Sequence, residues 1–117
     1  MPSPHKQEGR MTEAQIHKAV VQHWRACGLP DTLVATIPNM GAMGQFGLTK
    51  GLPDLMVCGL NIGVGFIELK AEKGRLSPAQ KEFGDLARKL GLSYAVTFGR
   101  EEPIKVLEDW DIVRSTR

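Results

Sequence analysis

The chain has 117 residues, enough for one compact domain with one core, and a second domain would have to be very small. Apolar residues make up 42% and charged residues 24%, which excludes an intrinsically disordered chain, and 15 Lys+Arg against 13 Asp+Glu leave a formal charge of +2, too mild for binding nucleic acid by bulk charge. Cys27 and Cys58 sit in unrelated contexts with no Cys-x-x-Cys, against a disulfide scaffold or a structural zinc site. No apolar run approaches the roughly 20 residues of a membrane span. The start, MPSPHKQEGR, lacks the apolar h-region of a secretory signal, so a soluble cytoplasmic protein is the expectation.

In chain order, residues 1–10 read as a flexible tail ahead of a single domain over 11–117. Thr12-Glu13-Ala14-Gln15 is a capping box, with Met11 and Ile16 placed as a hydrophobic staple. Ile16, Val20, Trp24 and Cys27 then recur at helical spacing until Gly28 and Pro30 end the run. Thr32 to Ile37, rich in β-branched residues, predicts a short strand. Residues 38–51 (PNMGAMGQFGLTKG) predict a glycine-rich loop. Leu55 to Cys58 and Val64 to Lys70 read as two strands around the turn GLNIG. Ser77-Pro78-Ala79-Gln80 opens a second helix with an N-cap, a proline at the first helical position and a capping-box Gln. Its apolar stripe is Ala79, Phe83, Leu86, Ala87 and Leu90, and Gly91 is its C-cap. Ser93 to Phe98 is the next strand. Pro103 opens a last helix in which Ile104, Leu107 and Trp110 share a face. The order α-β-β-β-α-β-α predicts an α/β fold, a small sheet with helices packed on it.

The chemistry centres on the strand Val64 to Lys70. Side chains alternate along a strand, so Val64, Phe66, Glu68 and Lys70 share one face while Ile67 and Leu69 share the other. Both faces start apolar, as in a strand covered on two sides, and one then turns ionic. A Glu and a Lys buried there need partners. A simple Glu68–Lys70 salt bridge is one reading. Asp54 opens another: if the two strands form a hairpin, Asp54 at the start of one lies beside Glu68 and Lys70 at the end of the other. Two carboxylates that close repel unless a cation joins them. Mg²⁺ or Mn²⁺ takes carboxylate and backbone carbonyl oxygens, and the Leu69 carbonyl is a natural third ligand. Glu13 shares the helix face of Ile16, Val20 and Trp24. It is either a first-turn acid favoured by the helix dipole or a further acid leaning over the sheet edge toward the metal, directly or through water.

These residues resemble a known signature. Gly51-Leu52-Pro53-Asp54 followed after a hairpin by Ile67-Glu68-Leu69-Lys70 is similar to the PD-(D/E)XK nucleases, and within them to short stand-alone members of the VRR-NUC branch. Glu13 near the start of the first helix, Gly-x-Pro-Asp in place of a bare Pro-Asp, and Gly74 to Gln80 (GRLSPAQ) soon after Glu-x-Lys carry the resemblance, which spans roughly residues 12–100. It implies a restriction-endonuclease-like core, a small mixed sheet flanked by helices, and a metal-dependent DNA phosphodiesterase. The metal ligands map onto Asp54, Glu68 and the Leu69 carbonyl, with Glu13 as an additional acid. Lys70 maps onto the catalytic lysine. Gln80 matches a recurring family Gln near the site, a role open beside its capping-box role. The stand-alone relatives are homodimers acting on four-way (Holliday) junctions, so a homodimer cutting branched DNA by its shape is expected, with flaps or other DNA ends as an alternative substrate.

Lys50, Lys73, Arg75 and Lys81, with Lys70, are candidates for lining a phosphate-binding groove, or else a solvated charged turn. Glu101, Glu102, Glu108, Asp109 and Asp111 crowd the last helix, which is expected to face away from DNA. His5 lies in the tail, and His17 and His23 share no clean helix face and lack metal-ligand spacing; His17 either flanks the active site from the turn after Glu13 or lies at the surface. Trp24 and Trp110 fit core stripes. Met40 and Met43 in the glycine loop are open as dimer contacts. A non-catalytic nucleic-acid-binding module and a plain structural domain are the competing functions.

Overall fold

A capping box starts the first helix, α1 (Glu13–Cys27). The Thr12 hydroxyl accepts from the Gln15 N–H at 3.1 Å, and the Gln15 side chain accepts from the Thr12 N–H at 2.9 Å. The computed structural model describes residues 10–38 and 49–115. The expected tail, apart from Arg10, and most of the expected glycine loop, with Met40 and Met43, lie outside the described residues.

Strand β1 (Leu33–Thr36) is shorter than Thr32 to Ile37. The Thr32 hydroxyl instead closes the preceding turn, donating to the Leu29 carbonyl at 2.6 Å and accepting from the Trp24 indole at 3.0 Å. Strands β2 (Leu55–Gly59) and β3 (Gly63–Lys70) follow, and Gly63 at φ +71 takes the left-handed turn position that glycine adopts without strain. Helix α2 (Pro78–Lys89) has its own capping box, Ser77 with Gln80, and Gly91 at φ +74 follows the Leu90 cap. After β4 (Ser93–Phe98), helix α3 (Glu101–Asp109) starts two residues before Pro103. Proline is tolerated anywhere in a first turn, where its missing N–H has no partner to lose, so it marks the turn rather than the first residue.

The sheet order is β1-β2-β3-β4. β1–β2 and β2–β3 are antiparallel, while β3–β4 are parallel with α2 as the crossover. The mixed sheet therefore has the predicted element order. The α1 and α3 face holds the core: Ile16 and Val20 of α1 and Leu107 of α3 pack on Val34, Leu55, Val57, Ile67 and Leu69. Trp24 and Trp110 are partly buried against it, as their stripes predict. The other face carries α2, where Phe66 meets Phe83 edge-on at 5.6 Å between centroids.

The α2 stripe differs from expectation. Gly84 and Ala87 are its buried residues, and Phe83 is half-buried. Leu86 and Leu90 stay 51% and 63% exposed. The small residues Gly84 and Ala87 bring the helix close to β4, which rotates the two leucines off the contact line.

Candidate active site

Asp54 and Glu68 meet because of register. The β2–β3 ladder closes with Leu55 opposite Ile67, and extending that antiparallel register by one residue sets Asp54 opposite Glu68. Three contacts hold the Asp54 end. The Ile37 N–H donates to the Asp54 carbonyl at 2.9 Å, tying it to the end of β1. Pro53 ahead of it is fully buried. Gly51, at φ +86, lies so close to Ala79 of α2 that a Cβ there would sit 2.5 Å from the Ala79 carbonyl. The Asp54 carboxylate accepts from the Leu69 N–H at 2.7 Å. In an extended strand a residue's N–H and C=O leave on the same side, so the Leu69 carbonyl faces Asp54 as well.

Glu68 is 2% exposed. Its Oε2 accepts from the Gln80 side-chain amide at 2.8 Å. The same Gln80 carbonyl oxygen accepts from the Ser77 N–H at 2.8 Å, so one side chain serves both the helix cap and the carboxylate. The buried Thr97 hydroxyl donates to the Glu68 carbonyl at 3.0 Å and fixes the strand below. Burial first, and then the Asp54 charge, push the Glu68 carboxyl up to about 8; Lys70 opposes this in part, and a hydrogen bond with Asp54 and the charge of Glu13 add to it.

Lys70 is 7% exposed. Its Nζ lies 3.8 Å from Glu68 Oε2 and 4.0 Å from Glu13 Oε2, so Glu13 approaches the site through the lysine. Lys50, Lys73, Arg75 and Lys81 are all exposed. The Gly51–Ala79 contact sets the chain at Lys50 beside the first turn of α2. Lys73 and Arg75 lie on the turn between β3 and α2.

The structure thus brings Asp54, Glu68, Lys70, Gln80 and the Leu69 backbone together, with Glu13 at the rim. Among the described residues no three His, Cys, Asp or Glu side chains cluster as a metal-binding group. The donor set is two carboxylates and a main-chain carbonyl, all hard oxygens that suit Mg²⁺ or Mn²⁺. That buried Glu68 needs a proton or a cation beside Asp54 is what such a site requires.

Two neighbours flank the site, His17, whose place one turn after Glu13 is legible in the sequence, and Tyr94, which carried no sequence signal. His17 Nε2 lies 2.8 Å from the Thr36 hydroxyl, pinning α1 to β1 one turn after Glu13. Tyr94 of β4 lies against Gly84 and close enough for the Glu68 charge, after burial, to raise its pKa. Both pairings depend on which strand a helix crosses, which local patterning does not encode.

A mixed sheet with Pro-Asp before one strand and Glu-x-Lys closing the next defines an α/β domain of the PD-(D/E)XK type. The VRR-NUC domain family model matches residues 11–101, and the chain belongs to that family of nuclease domains. A solved "VRR_NUC domain protein" shares the fold at 22% identity and TM-score 0.74, covering 86% of this chain and 88% of that one. A second solved structure, "VRR_NUC domain", is 26% identical with TM-score 0.61, covering 84% of this chain and 97% of that one. No curated protein matches the chain. Among the described residues no helix is long and apolar enough to cross a membrane.

Proposed function

We propose that this chain is a divalent-metal-dependent DNA endonuclease that hydrolyses phosphodiester bonds in branched DNA, four-way junctions foremost. The carrying observation is the convergence of Asp54 and Glu68 at one buried corner beside Lys70. Asp54, Glu68 and the Leu69 carbonyl would hold Mg²⁺ or Mn²⁺, with Glu13 supporting through water. The bound ion supplies a water of lowered pKa and a charge partner for the non-bridging phosphate oxygen.

The chain's own residues do the rest. The Leu69 N–H orients Asp54, and Gln80 orients Glu68, so neither carboxylate has to be ordered when substrate arrives. Lys70 stands against Glu68 and stabilises negative charge developing on the phosphate, a role that is electrostatic. Lys50, Lys73, Arg75 and Lys81 grip flanking phosphates. Glu101 and Glu102 at the start of α3 are exposed, as are Asp109 and Asp111 beyond them, and they repel DNA from that side. A homodimer is part of the proposal. Exposed Leu86, Leu90 and Leu92 give a second copy an apolar surface to cover, and paired sites match the two-fold symmetry of a junction.

The test is cleavage of fluorescent four-way junction, flap and plain duplex, with and without Mn²⁺, with Lys70→Ala as control. Metal-dependent cutting favouring the junction, lost in Lys70→Ala, is expected. Equal rates on all three DNAs overturn the structure selectivity. Binding without cleavage makes the chain a non-catalytic module. Light scattering reporting a monomer at micromolar concentration overturns the dimer.

A further inference from the structure

Gln80 faces two ways. Its amide holds Glu68, and the residue also lines a shallow hollow of about 150 Å³ where α2 meets β4. Leu76 ahead of α2, Lys81, Gly84, Asp85 and Arg88 of α2, and Tyr94 of β4 complete that hollow. Lys81, Gly84 and Arg88 are three and four residues apart, so they share one helix face.

Gly84 sits mid-helix, where glycine is about 1 kcal/mol worse than alanine. Its place is explained by Tyr94: a Cβ at Gly84 would sit 3.0 Å from the ring and 3.1 Å from its hydroxyl. The missing side chain lets the tyrosine floor the hollow. The Arg88 guanidinium lies over that ring, 5.4 Å from its centroid. Its one charged partner among the described residues, Asp85, stands 3.6 Å away, and the two side chains are 64% and 78% exposed. A loose exposed pair of this kind adds little stability and yields readily to a phosphate. Planar guanidinium nitrogens suit phosphate oxygens, and the ring reduces the rotamer freedom lost on binding.

Resting on the nuclease reading above, we propose that Arg88, held on Tyr94, and Lys81 form a track for successive DNA backbone phosphates beyond the scissile one, so that the bound strand runs along α2. Gln80 and Arg88 are eight residues apart, about 12 Å along the helix axis. One strand of duplex carries a phosphate every ~3.4 Å of its axis, so Arg88 meets a different phosphate from the one at Glu68.

The test is binding of a fluorescein-labelled DNA duplex by the full chain in EDTA, across a NaCl series. Arg88→Ala should reduce the slope of log affinity against log salt by about 1 and weaken binding about tenfold at low salt. The Lys81→Ala, Arg88→Ala double variant should lose about 2 from the slope. Arg88→Lys should keep the slope, and Lys105→Ala on α3 should leave it unchanged. A slope that Arg88→Ala does not alter overturns the track, as does an equal loss in Lys105→Ala. Failure of the nuclease reading has a different signature: no cleavage by the unmodified chain in Mg²⁺ or Mn²⁺, while the duplex still binds.

Discussion

Replacing Glu68 with Gln should stabilise the fold while ending cleavage. In the folded chain burial and Asp54 hold the Glu68 carboxyl at about 8 against an ordinary 4.5. Between those values the folded state keeps a proton that the unfolded state has released. The folding equilibrium therefore weakens roughly tenfold for each pH unit above about 4.5, until the folded group also ionises near 8. With the side chain 3% exposed, the accumulated loss reaches about 3 kcal/mol by about pH 7. Glu68→Gln removes that titration, and its amide carbonyl still accepts from Gln80. Thermal unfolding in EDTA should show the two proteins close at about pH 5 and the variant ahead by roughly 10 °C at about pH 7. Because every other group titrates in both proteins, the difference curve isolates position 68. Adding Mn²⁺ at about pH 7 should narrow the gap, since the ion displaces the proton from the natural carboxyl and takes its place beside Asp54. A melting difference that is flat from about pH 5 to 8 refutes the reasoning, because it means that Glu68 folds without a proton.

Two further substitutions probe the supports. Gly51→Ala forces a left-handed backbone on a residue with a Cβ and drives that atom to 2.5 Å from the Ala79 carbonyl. It should lose more than about 2 kcal/mol in denaturant unfolding, and cleavage should fall further as the first turn of α2 carries Gln80 off Glu68. Lys70→Met keeps the buried stem and removes the amine. Cleavage should fall about 100- to 1,000-fold in the fluorescence assay. Loss of the Lys70 charge, which lowers the Glu68 pKa, should also extend the pH-dependent loss of stability above about 8. Activity within about tenfold of the parent chain would remove Lys70 from the chemistry.

Local order in this chain is written plainly. Both capping boxes, the turn before β3 and the alternation along Val64 to Lys70 follow from short-range geometry, so the element order and the two-faced strand could be read before any contact was known. The Gly-x-Pro-Asp and Glu-x-Lys pair is also legible, because the hairpin joining them is short and its register is set by the turn. What local patterning misses depends on which surfaces meet. The periodicity of α2 marks Leu86 and Leu90 as buried, yet the helix docks along Gly84 and Ala87, and close approach to β4 turns the leucines outward. Gln80 can be seen as a cap from three neighbouring residues, but the hydrogen bond from its amide to Glu68 exists only because the parallel crossover lays α2 across β3. Tyr94 under Arg88 and His17 against Thr36 come from the same source. Cap, turn and strand geometries act over a few residues, whereas helix docking is chosen by the shape and volume of surfaces distant in the chain.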